Sequence, residues 1–268
     1  MAWDPAQYLK FAGDRMRPAI DLLARVPLAA PRRIVDLGCG TGNVTRLIAE
    51  RFPGAAITGV DRSAAMLERA QGEARPGERI RWRLGDLAHW TVTDGEAAPD
   101  LIYSNAALHW LDDHPRLFPR LLAALGAGGV LAVQMPNQFG APSHTALAEL
   151  ANAPRWRTLL APAVRGVPVA PLAAYYEWLV PQARAIDAWT TEYLHVLPAG
   201  ADGEHPVLTW TRGTALTPFL ALLDAERQRA FLDDYRARVE AAYPRREDGS
   251  VLFPFRRQFI VAIRREGG

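Results

Sequence analysis

The feature that most constrains this chain is a glycine-rich stretch, VDLGCGTGN, which runs from Val35 to Asn43. It follows a short apolar segment and precedes a helical pattern, so it predicts a turn from a buried strand into a helix. Three glycines at alternate positions, Gly38, Gly40 and Gly42, let a ligand approach the backbone where a Cβ would collide. The backbone N–H groups at the helix start face that ligand. The stretch therefore indicates either a cofactor loop or an ordinary strand-to-helix turn.

The spacing within the stretch separates two classes of cofactor. A dinucleotide loop of the G-x-G-x-x-G type needs a third glycine where this chain has Asn43. Asp36 lies two residues before the first glycine. A carboxylate at that place repels a pyrophosphate, whereas it can accept hydrogen bonds from a cationic ligand. The loop therefore favours S-adenosylmethionine, with its amino and sulfonium groups, over NAD.

Further candidate residues follow the next predicted strands. Asp61 can accept hydrogen bonds from ribose hydroxyls, or it can simply favour the start of the following helix. Asp86 can accept from an adenine amino group with Leu87 against the ring, or it can be a turn aspartate. Asn105 follows the fourth strand. Because ligands bind at the carboxyl edge of open α/β sheets, these positions together indicate a cofactor site better than any one alone.

Strand-like and helical segments alternate through the first half of the chain. Strands are predicted over residues 32–37, 56–60, 79–84, 100–104 and 129–135. This alternation is typical of βαβ units and predicts an α/β fold with a parallel sheet covered on both faces. Later segments predict a long strand over Ala183–Leu197, an amphipathic helix over Asp224–Tyr243 and a terminal strand over Phe255–Arg265.

The domain prediction is a single domain over residues 1–268 with a cofactor-binding core at about 30–135. The segment at about 136–182 is rich in Ala and Pro, which favours an insertion over more sheet. We expect this insertion and the N-terminal helix to form a cap.

Composition excludes several classes of protein. Cys39 is the only cysteine, which rules out an internal disulfide framework and a cysteine-rich metal site. A net charge of +2, from 31 basic and 29 acidic residues, gives no reason to expect a nucleic-acid partner. No uncharged apolar run reaches the roughly 20 residues of a membrane span. We therefore expect a cytoplasmic protein with neither nucleic acid nor membrane as partner.

The order strand, D-L-G-x-G-x-G, helix, strand, Asp, strand, G-D-L, strand, S-N-A resembles class I S-adenosylmethionine-dependent methyltransferases over roughly residues 30–135. Segments along nearly the whole chain are similar to the trans-aconitate 2-methyltransferase family: WDPAQYLKFAGDRMRPAIDLLARVPL, SNAALHWLDDHPRLFPRLLAALGAGGVLAVQMPNQ, the AAYY pair and FRRQFIVAIRR. The resemblance implies a doubly wound, mostly parallel Rossmann-like sheet with an antiparallel C-terminal strand and a helical cap. It also implies methyl transfer from S-adenosylmethionine to one carboxylate of trans-aconitate, giving a monomethyl ester.

The implied reaction sets modest demands on the protein. A carboxylate is already ionised at neutral pH, so we expect catalysis by positioning, with no general base, nucleophile or metal. The other carboxylates of the acceptor need Arg, hydroxyl or imidazole groups as hydrogen-bond donors. The candidate substrate-binding residues are His109, Tyr175, Tyr176, His195 and Arg257. His109 replaces a glutamine expected in some members of the family, which leaves fine substrate preference open.

Each of these candidates also has a simpler interpretation. The two tyrosines can be packing residues of the cap, His195 can lie in a sheet face, and Arg257 can be a solvated charge at a strand end. Arg17 can pair with the methionyl carboxylate of the cofactor or with substrate, and we assign it to the cofactor. The alternative functions are a methyltransferase with a different small-molecule acceptor, a non-catalytic S-adenosylmethionine-binding protein and an NAD-dependent oxidoreductase.

Overall fold

The computed structural model describes residues 12–93, 95–164, 166, 169–200 and 203–266. The chain divides into two compact units. The larger unit comprises Arg15–Pro136, Pro168–Thr191 and Arg257–Gly268. The smaller unit comprises Met1–Asp14, Asn137–Val167 and Glu192–Arg256. The predicted core at about 30–135 lies within the larger unit, whereas the predicted insertion contributes residues to both units.

The first part of the chain alternates strands with helices, as the sequence predicts. Its elements are α1 (Ala12–Ala24), β1 (Arg33–Leu37), α2 (Asn43–Arg51), β2 (Ala56–Asp61), α3 (Ala64–Gly72), β3 (Ile80–Leu84), β4 (Leu101–Asn105), a 3-10 helix (Leu108–Trp110), α4 (His114–Ala123) and β5 (Val130–Pro136). Ser63 caps α3 by accepting a hydrogen bond from the Met66 N–H.

The second part is mainly helical, with two long strands. Its elements are α5 (Pro142–Asn152), α6 (Arg157–Leu160), a 3-10 helix (Ala161–Ala163), α7 (Leu172–Leu179), β6 (Ala183–Leu197), α8 (Pro206–Arg212), α9 (Thr217–Leu220), α10 (Ala225–Ala242) and β7 (Val251–Arg264). Within the described ranges, none of the helices combines the length and apolarity that a membrane span requires.

One sheet of seven strands has the order β3-β2-β1-β4-β5-β7-β6 among the described residues. Strands β1 to β5 pair in parallel, whereas β7 pairs with β5 in the antiparallel sense. The central strands β4 and β5 are buried along nearly their whole length, because helices cover both faces of a parallel sheet. This topology confirms the predicted doubly wound, mostly parallel sheet with an antiparallel C-terminal strand.

The predicted boundaries of the later elements agree with the structure in two cases and differ in one. Strand β6 spans Ala183–Leu197, as predicted. Helix α10 is capped by Asp224 at its start and by Tyr243 at its end, and these two residues are the predicted boundaries. Strand β7 begins at Val251, whereas the prediction began at Phe255. Proline lacks a backbone N–H and discourages a strand prediction, and Pro254 lies inside this strand.

The smaller unit has its own apolar core. The Trp156 and Phe231 rings meet edge to face with centroids 5.3 Å apart. Tyr235 on α10 donates a hydrogen bond to the Ser143 carbonyl oxygen on α5 at 3.0 Å. This bond gives a partner to a hydroxyl that is fully buried and cannot reach water. The ring contact joins the start of α6 to α10, and the hydrogen bond joins α5 to α10.

Candidate functional site

The loop after β1 contains two glycines with opposite surroundings. Gly38 has φ +82°, and a Cβ there would lie 2.1 Å from the Ala107 Cβ. Gly40 has φ +54°, and a Cβ there would meet no heavy atom within 4 Å. Gly38 is therefore required by packing against the segment after β4, whereas Gly40 borders open space. That space is where a ligand can approach the backbone.

A buried arginine that the sequence analysis missed holds the start of α2. The Arg46 Nε lies 2.8 Å from a Glu78 carboxylate oxygen, and both side chains are buried. The same guanidinium donates to the carbonyl oxygens of Thr41 at 3.1 Å and Ala70 at 2.6 Å. These bonds fix the end of the glycine-rich loop to α3. A salt bridge partner 32 residues away leaves no local signal in the sequence.

Asp61 connects the carboxyl end of β2 to the glycine loop. Its Oδ2 accepts a hydrogen bond from the Gly40 N–H at 2.9 Å, and its Oδ1 accepts from the Ser63 N–H at 2.9 Å. The carboxylate thus favours the start of α3, and it also orients the loop at the position that borders open space. A carboxylate has further acceptor sites beyond these two bonds, so it can still receive ribose hydroxyls.

Asp36 is buried at the end of β1. The Thr45 hydroxyl donates a hydrogen bond to its Oδ2 at 2.6 Å. Burial raises the pKa of Asp36 from 3.8 to about 7; the Thr45 bond opposes this rise, and the nearby Asp61 carboxylate adds to it. A cation placed beside Asp36 would favour its ionised form. Thr45 is a further residue that the sequence analysis missed.

Asp86 and Leu87 lie after β3 with different exposure. Asp86 is exposed and accepts hydrogen bonds from the Ala88 N–H at 3.0 Å and the His89 ring at 2.8 Å. The hydrogen bond from His89 holds the pKa of the Asp86 carboxyl below its ordinary value. Leu87 is buried, and its Cδ1 lies 3.5 Å from the position of a Cβ on Gly38. Leu87 therefore belongs to the wall of the glycine loop.

The register of the strands places Asp36, Asp61 and Asn105 on one face of the sheet. Asp36 on β1 pairs with Gly59 on β2 and with Tyr103 on β4. Paired residues point to the same face, and so do residues two apart on a strand. Asp61 lies two residues beyond Gly59, and Asn105 lies two residues beyond Tyr103. Asp61, Asp36 and Asn105 therefore share one face at the carboxyl ends of their strands.

The shared face continues across the next two strands, β5 and β7. Asn105 on β4 pairs with Gln134 on β5, and Gln134 pairs with Phe259 on β7. Arg257 is two residues before Phe259, so it lies on that face too. The Arg257 Nη1 donates a hydrogen bond to the Gln134 Oε1 at 3.4 Å. Arg257 is only 5% exposed, so its interpretation as a solvated strand-end charge is wrong.

We call these five side chains the polar row. In strand order across β2, β1, β4, β5 and β7 they are Asp61, Asp36, Asn105, Gln134 and Arg257. The row runs from two carboxyl groups through two amides to a guanidinium. Two of its buried atoms, Asn105 Oδ1 and Gln134 Nε2, have no hydrogen-bond partner among the residues that the structure describes. Unsatisfied buried polar atoms are rare and indicate a place for a polar ligand.

The predicted tyrosines differ in position from the polar row. Tyr175 is fully buried, with its hydroxyl 2.7 Å from His114 Nδ1 and its ring 4.6 Å from that of Phe118. Its hydroxyl also accepts from the Ala170 N–H at 3.3 Å. This environment suits a packing residue between α4 and α7. Tyr176, its neighbour, is 48% exposed.

The other predicted residues lie in three places. Arg17 is exposed on α1. Helix α1 covers the sheet face that carries the polar row, as shown by the hydrogen bond that the Tyr103 hydroxyl donates to the Ala19 carbonyl oxygen at 2.7 Å. His109 lies on the 3-10 helix after Asn105, with its ring centroid 4.8 Å from that of Trp110. His195 belongs to the smaller unit, where it is buried and stacked on Trp210 with centroids 5.1 Å apart. Its substrate role stays a prediction.

Comparison with known proteins places this arrangement in a family. The methyltransferase domain family matches residues 8–197. A trans-aconitate 2-methyltransferase of Delftia acidovorans is 45% identical over 271 residues, which cover 98% of each chain. That of Methylobacterium radiotolerans is 47% identical over 263 residues, covering 97% of each chain. The chain belongs to the trans-aconitate 2-methyltransferase family.

Solved structures support the same fold at lower sequence identity. The YcgJ protein of Bacillus subtilis has a TM-score of 0.60 at 18% identity, covering 94% of this chain and 99% of that chain. Phosphoethanolamine N-methyltransferase 2 of Haemonchus contortus has a TM-score of 0.56 at 17% identity, covering 97% of this chain and 56% of that chain. At these identities the comparison concerns the fold alone.

Membership of the trans-aconitate 2-methyltransferase family confirms the enzyme class and the S-adenosylmethionine cofactor that the resemblance implied. The residues present fit that cofactor. Gly40 borders open space, Asp61 holds the Gly40 N–H, and the buried Asn105 Oδ1 offers an unused acceptor. Asp36 and Asp61 supply negative charge for a cationic ligand. The individual binding roles of these residues stay predictions.

Proposed function

We propose that the protein transfers the methyl group of S-adenosylmethionine to one carboxylate of trans-aconitate and so forms a monomethyl ester. The observation that carries this proposal is the polar row, whose charge changes from acidic to basic across the carboxyl edge of the sheet. Its two ends suit two different ligands. The names of close relatives supply the identity of the acceptor.

The acidic end of the polar row suits the cofactor. Asp61 lies beside the open space at Gly40, and its remaining acceptor sites suit ribose hydroxyls. Asp36 gains an ionic partner when a cation lies near it, which offsets the burial of its carboxyl group. Leu87 adds an apolar surface for the adenine ring, and Arg17 on the covering helix suits the methionyl carboxylate. Asp86 adds an exposed acceptor for the adenine amino group.

The basic end suits a polyanionic acceptor. The Arg257 guanidinium is buried, which strengthens its attraction for a carboxylate because little water screens the charge. Its planar donors match the two oxygens of a carboxylate. Holding one carboxylate there leaves another free to face the cofactor. His109, which follows Asn105 along the chain, suits a place beside the acceptor.

The chemistry needs positioning more than proton transfer. S-Adenosylmethionine supplies an electrophilic methyl group whose bond to sulfur breaks as the carboxylate oxygen bonds to carbon, leaving a neutral thioether. The attacking oxygen carries no proton at neutral pH, so no side chain has to remove one. The role of the polar row is to hold the two ligands in line and to exclude water from the space between them.

A methyl-transfer assay tests the proposed function. The purified protein is given labelled S-adenosylmethionine with trans-aconitate, citrate, isocitrate or a primary amine, and products are identified by mass spectrometry. We expect a monomethyl ester of trans-aconitate as the main product. Methylation of the amine alone would favour the methyltransferase with a different acceptor. Cofactor binding without transfer to any acceptor would favour the non-catalytic alternative.

Arg257→Lys tests the basic end. Lysine keeps the charge but loses the paired donors, so kcat/KM for trans-aconitate should fall about tenfold to a hundredfold while cofactor affinity stays unchanged. Arg256→Lys is the matched control, because Arg256 is adjacent on β7 but exposed. Equal kinetics for the two variants would remove Arg257 from the substrate site.

A further inference from the structure

Gln134 has a buried side-chain amide whose oxygen and nitrogen differ in their hydrogen bonding. It lies on β5 with no exposed surface. Its Oε1 accepts a hydrogen bond from the Arg257 Nη1, whereas its Nε2 has no partner among the described residues. A guanidinium can only donate, so the amide oxygen must face Arg257 and the NH₂ group must face away from it. The sequence analysis assigned no role to this residue.

Another buried glutamine shows how a purely structural amide is satisfied in this protein. Gln138, in the smaller unit, donates from Nε2 to the Pro254 carbonyl at 3.0 Å. Its Oε1 accepts from the Arg256 N–H at 2.8 Å. Both ends of that amide are therefore used by the backbone. Gln134 differs because its donor end is left for a group that is not part of the described chain.

The neighbours of Gln134 define what that group is. Arg257 lies on one side of it in the polar row, and Asn105 lies on the other. The free Nε2 requires an acceptor, and the guanidinium beside it favours an acceptor that is negatively charged. A carboxylate has two oxygens and can accept from both donors at once. An apolar or cationic group would leave the Gln134 N–H bonds unsatisfied.

We propose that Gln134 is a positioning residue of the substrate site, with two linked tasks. Its Oε1 orients the Arg257 guanidinium, and its Nε2 donates to the same substrate carboxylate that Arg257 binds. This carboxylate is one that is not methylated, so the pair selects acceptors that carry an additional carboxylate at the right place. The inference rests on the proposed function, since it takes trans-aconitate as the acceptor.

Calorimetry on the protein loaded with S-adenosylhomocysteine measures this role without turnover. Gln134→Leu removes both the donor and the acceptor, so trans-aconitate should bind about tenfold to a hundredfold more weakly. Gln134→Glu keeps the shape but pairs a carboxylate with Arg257, so the loss should be at least as large. Gln258→Leu is the matched control, because Gln258 is also buried, at 4% exposed, but lies on the opposite face of β7 from Arg257.

Three dicarboxylates show whether the effect belongs to one carboxylate. Itaconate, mesaconate and cis-glutaconate each lack a different carboxylate of trans-aconitate. The loss caused by Gln134→Leu should disappear for the one dicarboxylate that lacks the carboxylate bound by Gln134, and persist for the other two. A general loosening of the fold would weaken all four ligands and S-adenosylhomocysteine together.

The outcomes separate the two levels of the argument. If wild-type protein binds and methylates trans-aconitate but both Gln134 variants bind it within threefold of wild type, the role of Gln134 is wrong. An equal loss for all the carboxylates, or the same loss in Gln258→Leu, would also overturn it. If Gln134→Leu does not bind S-adenosylhomocysteine, Gln134→Glu decides the question. If wild-type protein binds no polycarboxylate, the proposed function fails, and the inference fails with it.

Discussion

Replacing Gly40 by alanine separates the cost of backbone strain from the loss of ligand space. Gly40 has φ +54°, and a Cβ there meets no heavy atom within 4 Å. An L-residue in the left-handed region costs about 1–2 kcal/mol, so the free energy of unfolding should fall by about that amount. Cofactor affinity should fall further, because the new methyl group stands in the space where the ligand approaches the loop. Overpacking of this kind costs about 1–3 kcal/mol, which corresponds to about fivefold to 150-fold in affinity.

Two other glycines provide the controls for this substitution. Gly128 has φ +71° and equally open surroundings, but it precedes β5 at the opposite edge of the sheet. Gly128→Ala should therefore lose the same stability and keep the wild-type affinity for cofactor. Gly38→Ala adds the collision with Ala107, so its loss of unfolding free energy should reach about 2–5 kcal/mol.

Urea denaturation and calorimetry with S-adenosylhomocysteine measure the two effects separately. We expect Gly40→Ala and Gly128→Ala to have similar stability and clearly different affinity for S-adenosylhomocysteine. If the two variants bind the cofactor equally tightly, the open space at Gly40 is not where the cofactor lies. If Gly40→Ala is far less stable than Gly128→Ala, the space is filled in solution and the argument from open surroundings is wrong.

Three further predictions concern single side chains. Asp61→Ala should weaken cofactor binding about tenfold or more in calorimetry, and unchanged affinity would leave Asp61 only its role at the start of α3. Because the pKa of Asp36 rises from 3.8 to about 7 on folding, the folded state holds the extra proton, and stability should fall as pH rises between these values. The free energy of unfolding should change by at most about 1.4 kcal/mol per pH unit. Urea denaturation of Asp36→Asn should show a weaker dependence of stability on pH in this range. An unchanged dependence would contradict the raised pKa of Asp36. Tyr175→Phe should lower the free energy of unfolding by about 1 kcal/mol through loss of the His114 bond and leave kcat/KM for trans-aconitate unchanged; reduced kcat/KM at wild-type stability would restore its substrate role.

The cofactor end of the site can be predicted from short stretches of sequence. The glycine loop, Asp36 and Asp61 could be predicted because each directly follows a short apolar strand, and the carboxyl ends of parallel strands lie at one edge of a sheet. The hydrogen bonds and salt bridges that hold these residues could not be predicted from the sequence. Thr45 and Arg46 were missed because a threonine or arginine inside a helical pattern carries no signal of a buried partner.

The basic end of the site depends on tertiary structure. Gln134 was missed because a single polar residue within an apolar strand segment does not show which side chains it contacts on the neighbouring strands. Arg257 was among several basic and hydroxyl candidates, and nothing in its local sequence distinguished it from Tyr175. The antiparallel register of β5 with β7 brings Arg257 next to Gln134, although 123 positions separate them along the chain.

The sequence by itself determined the α/β class, the glycine loop, the acidic strand ends and the family, because periodicity, glycine placement and strand order are local or collinear properties of the chain. The tertiary structure decided which candidates share a face, which are buried and which amide atoms have no partner among the described residues. The physical reason is that burial and register arise from pairings between distant strands. A strand's own sequence shows that it pairs, but the position at which it meets its neighbour depends on the whole sheet.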